Sequence, residues 1–120
     1  MRINFVGTNR LQVTRIETDG VNTTLLRDIY FEAGVKYSLI SGVGDTPDTF
    51  GQNSATDFGN ATAVLFNTEG SLVDQTNTPL NGTVFLAIPN NALSFRAVTV
   101  QGTTGRVRAY RWTGGQWRRV

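Results

Sequence analysis

"SFRAVTVQGTTGRVRAYRW", residues 94–112, decides the fold. Successive side chains of a strand point to opposite faces. In the first run this puts Phe95, Ala97 and Thr99 on one face, with Arg96, Val98 and Val100 on the other. In the second run Val107, Ala109 and Arg111 share a face, and Arg106, Arg108, Tyr110 and Trp112 share the opposite one. "GTTG" at 102–105 supplies the turn, so the two runs read as an antiparallel hairpin. The face carrying Arg106, Arg108, Tyr110 and Trp112 is half charged and half aromatic. It is expected to meet solvent or a partner.

The same texture extends through the chain. Strands are expected at 2–6, 11–17, 24–31, 35–41, 61–67, 83–88, 93–101 and 106–112, with a weaker one at 71–74. Turn chemistry separates them: "TDGVN" at 18–22, "EAG" at 32–34, "TEG" at 68–70, "NG" at 81–82 and "PNN" at 89–91. No long window keeps the helical apolar period. About eight short strands in 120 residues indicate one all-β domain over 1–120, a single antiparallel β-sandwich. A jelly-roll-like winding is expected, with an immunoglobulin-like Greek key as the alternative. The long polar loop at 41–60, "SGVGDTPDTFGQNSATDFGN", would serve as a crossover. Loops of that length inside a compact domain usually carry function.

Charge is unevenly placed. Residues 1–40 hold five basic and four acidic groups, residues 41–95 hold five acids and no base, and residues 96–120 hold six arginines and no acid. The net is +2. Cysteine and histidine are absent, which removes thiolate metal sites, disulfides, and every Ser–His or Cys–His nucleophile. No metal and no cofactor is expected. "MRINFVGTNRLQV" has no apolar run long enough for a signal peptide, and no membrane span is present, so synthesis in the cytoplasm is expected.

Asp45, Asp48 and Asp57 in the 41–60 loop could pair as acid and base, ligate calcium with Asn53, or meet a basic partner. Their spacing is not that of an EF-hand, and turn chemistry is the expected use. The C-terminal arm, 106–120, has three readings. Tyr110, Trp112 and Trp117 could form a sugar platform. The same aromatics interleaved with Arg106, Arg108, Arg111, Arg118 and Arg119 could track single-stranded nucleic acid, which the small net charge disfavours. Trp and Arg are also the residues enriched at protein hot spots, so "QWRRV" reads as an anchor. It would either fold back on its own domain or enter a neighbour.

"FEAGVKYSLISG" at 31–42 and "SFRAVTVQGTTGRVRAYRWTGG" at 94–115 resemble the small β-sandwich proteins that decorate tailed-phage capsids or form parts of phage tails and fibres. That resemblance implies a non-catalytic structural virion protein, a capsid decoration or cement protein, forming homo-oligomers with the trimer favoured. Its partners would be itself and the major capsid protein or another virion protein. The interface expected on this basis is Arg106, Arg108, Tyr110, Arg111, Trp112, Trp117, Arg118 and Arg119, with the acidic loop as a second patch. A carbohydrate-binding or receptor-binding module is the alternative, and a single-stranded nucleic-acid binder the third reading.

Overall fold

A computed structural model describes residues 1–120. Eleven strands follow one another: β1 Arg2–Val6, β2 Arg10–Ile16, β3 Thr23–Tyr30, β4 Lys36–Tyr37, β5 Thr56–Asp57, β6 Val64–Phe66, β7 Leu72–Val73, β8 Gly82–Ala87, β9 Arg96–Gln101, β10 Arg106–Trp112 and β11 Trp117–Arg119. One 3-10 turn, Ala92–Ser94, precedes β9. The strands form two antiparallel sheets, ordered β3-β2-β1-β6-β7 and β11-β10-β9-β8-β4, with β5 also paired to β8. The chain is an all-β sandwich. It crosses between the sheets from β3 to β4, from β5 to β6 and from β7 to β8. The winding is jelly-roll-like only there, and elsewhere hairpins dominate.

The alternation in β9 and β10 gives the second sheet two different faces. Val84, Val98, Val100 and Val107 look toward the first sheet and meet Ile3, Phe5, Leu11, Val64 and Leu72 in an all-apolar seam. Phe58 closes this seam at one end. A Cβ on Gly82 would overlap the Phe58 ring, so only glycine lets β8 start there. The opposite face of the second sheet carries Phe85, Ala87, Phe95, Ala97 and Tyr110, all buried in a core of their own.

That second core is covered by the long loop, not by a sheet. Expected strand 35–41 shortens to β4, because the chain leaves the β8 edge after Ser38. Ser38 N–H donates to the Phe85 carbonyl, and Phe85 N–H donates to the Ala55 carbonyl. Both feet of the loop are thus tied to one residue. Between them the chain lies over the sheet, with Ile40 and Val43 packed on the buried cluster. Returning, it pairs as β5 beside the same strand.

The tail is the other departure. Trp112–Trp117 pairing makes β10 and β11 a hairpin, so residues 117–119 fold back on their own domain. Gly114 takes φ +96, the left-handed conformation this tight reversal needs.

Candidate functional site

Most of the β10 face expected to meet solvent or a partner is covered by the chain itself, which corrects that expectation for Arg108, Tyr110 and Trp112 and leaves Arg106 exposed. Tyr110 is 4% exposed. Trp112 and Trp117 are half-buried against Phe85 and Phe95, and Trp117 Nε1 donates to the Gly44 carbonyl of the loop at 2.9 Å. The two indoles meet at 67° with centroids 5.4 Å apart. They offer no coplanar platform to a sugar ring.

Asp48 locks the loop to this face. Its carboxylate accepts from Thr99 Oγ1 at 2.6 Å, Tyr110 Oη at 2.9 Å and Arg108 Nη1 at 3.0 Å. Burial pushes the Asp48 carboxyl up, but the hydrogen bonds from Thr99 and Tyr110 and the Arg108 charge together outweigh it. They hold it below the usual carboxylate range. The same burial, helped by Asp48, raises the Tyr110 phenol. Arg108 is therefore an internal partner rather than an interface residue.

Asp45 accepts the Thr46 and Gly51 N–H groups, and buried Asp57 accepts those of Asn53 and Gly59. All three loop acids are engaged by their own chain. The reading of this loop as an acidic patch for a basic partner is corrected accordingly: its carboxylates build the loop.

The outward arginines are Arg106, Arg111, Arg118 and Arg119. To them the structure adds Arg96. Register places Arg96 opposite Arg111, and Arg111 opposite Arg118. The molecule has three ion pairs, Arg10–Asp28, Arg15–Glu17 and Arg108–Asp48, and none involves these arginines.

A second surface escaped the sequence reading. Every residue of β3 is exposed. Leu25 is 53% exposed, Leu26 40%, Ile29 43% and Tyr30 59%. β3 pairs only with β2, so its outer edge is free, and the irregular register at Val13/Thr14 opposite Leu26 disturbs the alternation. The signal was in "TTLLRDIY", where Leu25–Leu26 and Ile29–Tyr30 are adjacent apolar pairs. Adjacent pairs put apolar groups on both faces of a strand, which one sheet face cannot bury.

The chain exposes 7200 Å². A compact monomer of 13.1 kDa exposes about 6400 Å². The excess accompanies an elongated outline, with principal extents of 48 × 28 × 23 Å.

No known family, no curated protein and no solved structure matches this chain.

Proposed function

We propose that this chain is a non-catalytic structural subunit that closes into a homo-oligomer through β3 and fastens to a larger protein assembly. The observation that carries the reading is β3: eight residues, all exposed, with leucine, isoleucine and tyrosine on a free edge. A long, partly apolar edge strand invites pairing, which Arg27, Asp28 and the irregular register beside Leu26 blunt only in part. No other segment of the chain covers it. A second copy supplies the simplest cover for Leu25, Leu26, Ile29 and Tyr30.

The resemblance of 31–42 and 94–115 to capsid decoration and tail proteins gives this subunit a setting, the phage virion. A cement protein there, as a closed trimer over capsid junctions, would hold the shell through several modest contacts at once. The sugar-binding alternative loses its support with the tilted, half-covered tryptophans.

Light scattering after size exclusion tests the self-association. The expected result is a closed oligomer that Leu26→Asp with Ile29→Asp converts to a folded monomer with an unchanged circular dichroism spectrum. A wild-type protein that remains monomeric at every concentration and salt would end this reading.

A further inference from the structure

From the register of the C-terminal sheet we infer that Arg96, Arg111 and Arg118 form a docking site for an acidic, extended polypeptide segment of the partner. The inference deepens the reading above by naming the attachment chemistry, and it rests on that reading only for the existence of a partner.

Residues directly opposite one another on antiparallel strands share a face, with Cβ atoms about 5 Å apart. Arg96 of β9, Arg111 of β10 and Arg118 of β11 are opposite in succession. They make a row of three guanidinium groups running across the strands, all exposed and none in an ion pair. Like charges so placed oppose folding. A chain that keeps three in line, with no acid beside them, presents a surface that anions would complete. Arg96 is held in place without being neutralised: its Nη1 donates to the Leu93 and Phe95 carbonyls at 2.9 and 3.0 Å.

Three observations favour a carboxylate-bearing polypeptide over nucleic acid. The row lies on the sheet face of Ala109, past the end of the seam that Val98 and Val107 form with the first sheet, and no aromatic of β10 or β11 lies there. Tyr110, Trp112 and Trp117 are on the opposite face, with Tyr110 and Trp117 bonded to the loop, so a base on the row has nothing to stack on. Beside the arginines lies exposed Ala109, which leaves room for an apolar side chain interspersed among acids. The net charge of +2 also lacks the broad basic field that draws in a polyphosphate. A guanidinium fork matches a carboxylate bidentately, and residues i and i+2 of an extended segment lie about 6.6 Å apart. Two or three acids of such a segment reach all three arginines.

The test is fluorescence anisotropy with labelled deca-glutamate, alongside a labelled oligothymidylate of equal charge. The peptide is expected to bind the wild-type protein more tightly than the oligonucleotide. Replacing the row (Arg96→Gln, Arg111→Gln and Arg118→Gln together) should weaken peptide binding about tenfold. Arg106→Gln with Arg119→Gln, which removes two charges outside the row, should weaken it less than about threefold. The row variant should also melt about 3 °C higher, since repulsion is relieved, which a structural role for these side chains would not give. Equal losses from both variants, tighter binding of the oligonucleotide, or no peptide binding at all would overturn the assignment. Light scattering on the row variant keeps the two readings separate. The row lies on β9–β11, so the β3 oligomer should persist when peptide binding is lost.

Discussion

β3 and β10 are both long antiparallel strands with mixed polar and apolar residues, eight and seven residues in length. One is exposed at every position, while the other buries Tyr110 and half-buries Arg108 and Trp112. Their own residues do not explain the difference, since "TTLLRDIY" is the more apolar of the two. What differs is the cover each receives. The 39–54 loop, tied at both feet to Phe85 and locked by Asp48, lies over β10 and its neighbours. No segment of the chain lies over β3. Burial of a strand is therefore decided by what the rest of the chain sends to it, and where nothing is sent, a second molecule is the remaining source.

The largest expected effect lies on the covered side. Leu72 is 1% exposed, packed with Phe58, Val64 and Val100. Leu72→Ala should cost about 3 kcal/mol, from lost transfer energy and the cavity left behind, measured as a shift of the urea midpoint at constant slope. A cost below about 1 kcal/mol would mean that the seam between the sheets is loosely filled.

Next in size is the lock on the loop. Asp48→Ala leaves Arg108, Thr99 and Tyr110 without their acceptor in a half-dry site, which should cost about 2–3 kcal/mol at neutral pH. The pH dependence follows from the sign of the shift. The folded-state pKa of Asp48 lies below its unfolded value, so its contribution is complete above about pH 5. It is lost as pH falls through the folded pKa. The gap between wild type and variant should thus narrow in acid, below about pH 5, and stay constant from there to neutrality. A gap independent of pH throughout that range would show that Asp48 does not titrate against folding.

The contrast between the two strands also explains what the sequence could reveal. β1 and β10 have the bounds expected from their alternation alone, Arg2–Val6 and Arg106–Trp112, because alternation is local. Which face of β10 is covered is not local. Alternation makes Arg106, Arg108, Tyr110 and Trp112 one outward face, and Asp48, which locks the loop onto most of it, is 60 residues from Arg108 in the chain. β5 and β11 were not expected as strands. Each is two or three residues long and exists because a neighbouring edge was open. Arg96 was absent from the expected interface because its place beside Arg111 and Arg118 depends on register, which composition does not carry. The Asp-rich loop was legible as turn chemistry, and Asp45 and Asp57 serve it.

The smallest expected effect is the sharpest probe of the comparison, because it repeats the Leu72 chemistry on β3. Leu26→Ala removes the same atoms from a side chain already 40% exposed, in a strand with no residue buried. In a dilute monomer the cost should be within about 0.5 kcal/mol. At concentrations where copies associate, the same substitution should lower the midpoint further, since any contact present only in the assembled state stabilises by mass action. A Leu26→Ala cost that grows with protein concentration, beside a Leu72→Ala cost that does not, would place the cover of β3 on another molecule. If Leu26→Ala were as costly as Leu72→Ala in the most dilute sample, β3 would be covered within its own chain. The distinction between the two strands would then fall, and the self-association argument with it.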